Sequence, residues 1–448
     1  MTASLTNYFR EHLLGLLKAD IDSDGTQYYI GIASGQEADE VPFTQMGSLE
    51  NQMKFRHTLQ SVKTLSNVSY VVPTIEWTVG TEYEAYDIND PNQTNFYVVN
   101  SDNEVFLCLE KGLRADGTTD GSLIEPTSVL ANNSTKPFKT ADGYIWQYLY
   151  KISNLAYGTF KTKSYMPVKQ ITNELTTIPE EIEQKLLQDS SIEGMITGII
   201  VDDGGSGYIN PTITISGNGY GARFIADVFD EHIVNVRCDS NGLGSLLHGK
   251  NYDYAKVEIT DPGSGSGAKL RPVVSPRKGT NKDPVTTLKC NAIMLQTDII
   301  GTENNTIVAN DTNFKKIGIL KDITNFENDN VFIANTGQAM KRLLLSSVNG
   351  SWFENDIFSN ALGTSKGKVF YLDGTTLYYY QDQETGFNPF QISEAITNTE
   401  DGTADIVAIQ NPEIDRYSGE LLYINTLENT ITREEVQTED IRIVIQLG

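Results

Sequence analysis

The chain has 448 residues, 39% of them hydrophobic, with 22 Tyr, 17 Phe and a formal net charge of −25. That length calls for two or three folded units rather than one small core. The acidic balance argues against bare DNA or RNA as a partner, because phosphate binding needs clustered Lys and Arg. No apolar run approaches the roughly 20 residues of a membrane-spanning helix, so no membrane is expected as a partner.

In chain order, residues 5–17 predict an amphipathic helix. Leu5, Tyr8, Phe9, His12, Leu13, Leu16 and Leu17 fall near i, i+3, i+4, i+7 spacing, which places His12 in a packed face. The helix ends before Asp20-Ile-Asp-Ser-Asp-Gly25, a turn in which Gly25 is expected at positive φ. A strand at 28–32 follows, then a helix from about Ser48, its N-cap, to about Val62. The text to residue 170 is β-rich, with strands at 95–99 and 105–109 around a hairpin loop at 100–104. Residues 144–150 carry large side chains on both faces, the signature of a central strand. A short helix at 180–187 marks a boundary.

Residues 195–280 are dense in glycine and hold a degenerate repeat. Ile213-Thr-Ile-Ser-Gly-Asn-Gly-Tyr-Gly-Ala lines up with Val257-Glu-Ile-Thr-Asp-Pro-Gly-Ser-Gly-Ser-Gly-Ala, each a strand, a glycine turn, Gly-Ala and a strand. Two copies suggest a small module of repeated hairpins rather than a solenoid, which needs at least ~3 repeats. Strands are expected again near 286–295 and 316–320. The island 331–410 carries Asp373-Gly374 between two apolar runs, a type I′ hairpin signal, and reads as a small β-barrel-like module. Residues 421–424 and 441–447 close the chain as strands. The expected architecture is mainly β: a layered β-sandwich core with a few helices near the N-terminus and two inserted small β modules. The core would comprise 1–190, 285–330 and 411–448, with insertions at 195–280 and 331–410.

Two segments stand out. In Asp142-Gly-Tyr-Ile-Trp-Gln-Tyr-Leu-Tyr150, Asp142 and Gly143 precede a strand carrying Tyr144, Trp146 and Tyr148. In Arg416-Tyr-Ser-Gly-Glu-Leu-Leu-Tyr423, Arg416, Ser418, Gly419 and Glu420 precede an apolar strand with Tyr423. Both set fixed polar or glycine positions at the edge of a buried strand. Glu420 is expected to accept hydrogen bonds from turn amides or to pair with Arg416. In kind and order the two segments resemble the small wedge protein of T4-type contractile-tail phage baseplates, with similarity running, interrupted, through 1–175, 285–330 and 411–448. One departure is that Asn425 is followed by Thr426, where that family tends to have Asn-Arg. The resemblance implies a layered β-sandwich and a homodimer in the virion tail baseplate, assembled in the host cytoplasm. It also implies partners among the other wedge proteins, including those that carry short tail fibres.

Other candidates for chemistry are weaker. Asp20, Asp22 and Asp24 with Gly25 match the first half of an EF-hand-type calcium loop, but position twelve is Gly31 instead of Glu, so an acidic turn is the favoured reading. The clusters Gly204-Gly-Ser-Gly207 and Gly263-Ser-Gly-Ser-Gly267 lack the Gly-Lys-Ser/Thr ending of a phosphate cradle and read as tight turns. Cys108, Cys238 and Cys290 are scattered and odd in number, against a disulfide framework or a thiolate metal site. The four histidines form no spaced motif. The carboxylate pairs Glu180-Glu181 and Glu434-Glu435 sit in polar segments, poor places for a raised general acid. Neither an enzyme, a cofactor nor a small-molecule substrate is therefore expected. The alternative is a tail-associated carbohydrate- or receptor-binding protein, presenting Trp352, Tyr378, Tyr379 and Tyr380 to sugar rings unless these fill a small β core.

Overall fold

The structure, a computed structural model, describes residues 6–23, 25–34, 48–65, 67–131, 136–172, 176–241, 245–276, 278–300, 313–433 and 437–447. The chain is mainly β and forms two compact units. One is built on Ser69–Met294, joined by the terminal segments up to Leu16 and from Val444; the other is built on Leu17–Val68 and Leu295–Ile443.

The first unit contains a four-stranded antiparallel sheet in the order Tyr97–Val99, Glu104–Glu110, Ile145–Lys151, Phe138–Lys139. Side chains alternate across a pleated strand, and here both faces are covered. Leu107, Ile145 and Leu149 enter one apolar cluster, while Phe106, Cys108, Trp146 and Tyr148 enter another. The strand Ile145–Lys151 is interior to its sheet, as its two-faced pattern predicts. Trp146 is fully buried, stacked on Tyr144 with centroids 5.6 Å apart and met edge-on by Tyr83, also at 5.6 Å.

The glycine-rich repeat folds as two crossed copies. The central strands Thr212–Gly217 and Ala255–Thr260 pair antiparallel, with Thr214 opposite Glu258. The last strand of the first copy, Phe224–Phe229, pairs with His232–Cys238, the strand that opens the second copy. The last strand of the second copy, Lys269–Val274, returns to Ile196–Asp203, which opens the first. The exchange is reciprocal in its glycines. A Cβ on Gly265 would lie 2.4 Å from Tyr208 Cδ1, and one on Gly219 would lie 2.4 Å from Tyr252 Cγ. Each tyrosine ring thus occupies space that only a glycine of the other copy leaves free. The two glycine clusters also meet, through a bridge between Ser206 and Ser266. Ile196, Ile199, Phe224, Ile233 and Val236 share one apolar cluster with Leu107, Ile145 and Leu149, so this module has no core of its own.

The second unit contains a five-stranded antiparallel sheet in the order Thr336–Gln338, Leu59–Thr64, Tyr28–Ala33, Asn313–Lys321, Glu420–Thr432. Gly31 stands opposite Gly318, and a Cβ on Gly318 would lie 2.6 Å from Phe55 Cζ. The paired glycines make the slot that seats Phe55, and with it the helix Leu49–His57. Ser48 caps that helix, accepting the Asn51 N–H at 3.2 Å. The helix stops at His57 rather than near Val62. Leu59–Thr64 is instead a strand flanked on both sides, and those ladders outweigh its local helical pattern.

Residues 341–410 close into a six-stranded barrel: Lys341–Asn349, Thr376–Tyr380, Lys366–Asp373, Ile357–Asn360, Ala395–Asn398, Thr403–Gln410 and back to the first. Its interior holds Leu343, Phe358, Val369, Leu377, Tyr379, Phe390 and Ile396. Asp373 pairs with Thr376 around the loop Gly374-Thr375. Gly374 alone is left-handed there, at φ +57°, which is the type II′ pattern instead of type I′.

Three further expectations change. The helix Asn7–Ile21 buries Leu14, whereas Tyr8, Phe9, His12, Leu13 and Leu16 are exposed, so His12 is not a core residue. Gly25 is not left-handed; Ser23 Oγ accepts its N–H at 3.1 Å and shapes the turn. Pro284–Thr287 is a short helix capped by Asp283, and the strand there begins at Ala292. Among the described residues no helix is long and apolar enough to cross a membrane.

Candidate functional site

The Arg416–Glu420 segment is a turn locked by two interleaved arginines. Arg56, near the end of the helix seated by Phe55, donates from Nη1 to the carbonyls of Arg416 (2.8 Å) and Ser418 (2.6 Å), and from Nη2 to that of Gly419 (2.9 Å). Arg416 answers by donating to the carbonyls of His57, at 2.6 Å, and Ala339. The planar fork of guanidinium donors suits such multiple capture. Ser418 Oγ donates to the Asp415 carbonyl at 2.7 Å and accepts the Thr324 N–H at 2.8 Å. Gly419 sits at φ +62°, where a Cβ would lie 2.4 Å from the Lys321 carbonyl oxygen. Burial lowers the pKa of both guanidiniums, partly offset by nearby Asp415.

Glu420 does not join this lock. It is exposed, opposite Lys321 in register, and Arg416 donates instead to the carbonyls of His57 and Ala339. Tyr423 is half-buried opposite Ile319. The turn is no nucleophile site either. Ser418 Oγ is bonded to backbone on both sides, and His57 Nδ1 shares a 2.8 Å hydrogen bond with the Tyr417 hydroxyl. Burial, then the Arg416 cation, keeps the His57 pKa below its usual value.

Asp142 performs a similar task in the first unit. Its Oδ2 accepts the N–H groups of Leu123 (2.7 Å) and Ile124 (3.0 Å), and its Oδ1 accepts the Thr140 hydroxyl. Gly143, at φ +94°, then turns the chain into the aromatic strand with Tyr144, Trp146 and Tyr148, all buried. Both conspicuous segments therefore use their polar groups to hold backbone.

The remaining candidates resolve into structure. Asp20 Oδ2 accepts from Lys321 Nζ at 2.6 Å and from the Tyr28 hydroxyl, which holds its pKa below the usual carboxylate value. Asp22 pairs with Lys18. Both carboxylates are thus turned to lysines; Asp24 lies outside the described residues, as do Glu434 and Glu435. Glu180 and Glu181 occupy the first turn of the helix Pro179–Asp189, with Glu181 bound to Lys169 at 2.6 Å. In the barrel Tyr379 and Tyr380 are buried, Trp352 packs edge-on against Phe358, and Tyr378 stacks on Tyr371 with centroids 4.2 Å apart. Trp352 and Tyr379 belong to the barrel core, whereas Tyr378 and Tyr380 join Met340, Phe370 and Tyr371 in a separate cluster where Tyr378 is half-buried.

No known family pattern matches the chain, and no curated protein matches it.

A third constellation was not legible in the sequence. Glu110, Cys238 and His248, all buried, bring a carboxylate oxygen, a sulfur and a ring nitrogen within 4.8 Å of one another. Glu110 Oε1 accepts the Cys238 N–H at 2.8 Å, and His248 Nδ1 lies 2.8 Å from the Ile196 carbonyl. His248 Nε2 is buried without a partner. Burial pushes the Glu110 pKa up to about 8 and the Cys238 thiol up, and it brings His248 down to about 4. The scattered cysteines gave no sign of this, because the group forms only when strands from distant parts of the chain meet.

Proposed function

We propose that this chain is a structural subunit of a bacteriophage contractile-tail baseplate wedge, acting through its surfaces with no turnover of its own. It is a homodimer in the virion, holds neighbouring wedge proteins, including those that carry short tail fibres, and moves with them during baseplate rearrangement and sheath contraction. The observation that carries this reading is the reciprocal clamp of Arg56 and Arg416. The segment most similar to the wedge family spends its guanidiniums, hydroxyl and glycine on fixing a turn, as a load-transmitting part requires. The outward side chains Tyr8, Phe9, Leu13 and Leu16 add apolar surface of the kind that permanent contacts cover.

Electron microscopy of tailed particles assembled with an epitope-tagged chain tests the reading. The label should sit at the distal end of the tail, and light scattering of the purified chain should report a dimer at micromolar concentration. A chain absent from particles, or one that turns over a polymer or small molecule by itself, would overturn it.

A further inference from the structure

The Glu110–Cys238–His248 cluster joins three separate strands: Glu104–Glu110 of the aromatic sheet, and His232–Cys238 and His248–Lys250 of the glycine-rich module. Each residue supplies a different donor type, and all three are buried. The hydrogen bonds define which atoms remain. A carbonyl can only accept, so the 2.8 Å contact to Ile196 makes Nδ1 the protonated nitrogen of His248. Nε2 then carries a buried lone pair that meets no donor, an arrangement whose desolvation costs free energy unless something electrophilic occupies the site. Phe224 meets the ring edge-on, centroids 6.1 Å apart, and helps fix its orientation.

We propose that Glu110, Cys238 and His248 form a structural zinc site that staples the glycine-rich module to the aromatic sheet. The donor set selects the metal. Calcium and magnesium take oxygen ligands, whereas a thiolate, an imidazole and a carboxylate together suit Zn²⁺. The charges balance: the Cys238 thiol and the Glu110 carboxyl each release a proton to solvent on binding, and the thiolate and carboxylate so formed offset the two positive charges of the ion. The Nδ1–H···O=C bond to Ile196 is the outer contact that orients metal-binding histidines. Donor atoms around tetrahedral zinc stand roughly 3.3–3.8 Å apart; the three donors here lie within 4.8 Å of one another, so side-chain movement of at most about 1 Å brings them to that spacing. The second Glu110 oxygen or a water completes the coordination. Of the three residues, Glu110 alone also lines an open cleft, with Lys139, Asp227 and Arg237.

The test uses the full chain, expressed without a histidine tag in zinc-supplemented medium and purified without chelators. Elemental analysis should find close to one zinc per chain. Cys238→Ser and His248→Gln should each lose most of it, whereas Cys108→Ser and Cys290→Ser, at buried thiols outside the cluster, should retain it. Replacing zinc by Co²⁺ should give thiolate-to-cobalt charge-transfer absorption in the wild-type chain, and chelation should lower its melting temperature. If the cluster variants fail to fold, the cobalt spectrum of the wild type decides alone. A metal-free wild-type chain without that absorption overturns the proposal, as does zinc that persists in a folded Cys238→Ser chain, which would be an adventitious ion.

Discussion

The glycine-rich repeat and the six-stranded barrel are of similar size, and both read as compact β modules, yet they solve the burial problem differently. The barrel leaves no strand edge open and fills its interior with its own side chains, centred on Phe358 stacked against Phe390 at 5.0 Å. The repeat pairs its strands crosswise between two copies and shares its apolar residues with the sheet Tyr97–Lys151. A β module is independent when its inward faces meet one another, not when its ends are close in sequence.

The largest effect that could break this contrast is excision. A peptide of residues 341–410 should melt cooperatively, while one of 195–280 should lack the amide dispersion of a folded chain in NMR. A folded 195–280 peptide would collapse the distinction. Next come two large-to-small changes. Trp146→Ala and Phe358→Ala should each cost about 3–5 kcal/mol in denaturant titrations. The first should destabilise the glycine-rich module along with the aromatic sheet, and the second should act on the barrel alone. Hydrogen exchange resolved by segment separates these outcomes.

A smaller effect probes the crossed copies. Gly219→Ala and Gly265→Ala each place a methyl against a tyrosine ring of the other copy, at a cost of about 1–3 kcal/mol. The reciprocal arrangement requires the two losses to be similar; a loss at one site only would mean the copies are not equivalent. The smallest effect is in pH dependence, and its sign differs between the units. Burial raises Glu11 to about 7. Its folded pKa lies above its unfolded value, so its contribution is complete below pH ~4.5 and is lost as pH rises toward 7. Glu11→Gln should flatten that decline in the melting temperature. In the barrel, burial raises Asp382, but the Thr385 N–H and Lys368 override it and the net pKa is lowered. Its contribution is present above the unfolded value and is lost on acidification through the lowered folded value, so Asp382→Asn should matter less and less as the pH falls below the ordinary carboxylate range.

What the sequence revealed follows the range of the forces involved. The loop at 100–104, the cap at Ser48 and the turn at Gly374 are set by neighbours a few residues away, and each was visible. The two-faced strand Ile145–Lys151 was visible because both of its faces are apolar. Arg56 was not, since its three acceptors lie about 360 positions downstream and carbonyls leave no mark in a sequence. The exposure of His12 was missed for a related reason: periodicity shows that a helix has an apolar face, not that the same chain covers it. Leu59–Thr64 left its helical pattern because strands on both sides offered it a complete ladder.

The crossed strands also set a schedule for biosynthesis. Ile196–Asp203 leaves the ribosome early, but its partner Lys269–Val274 follows about 70 residues later. At about 5–20 residues per second, that strand waits roughly 4–14 s with an open, apolar edge. Nascent chains crowded on one message could pair with each other during that interval. Soluble yield should then depend on translation speed and chaperone supply more than on how well the finished molecule resists heat.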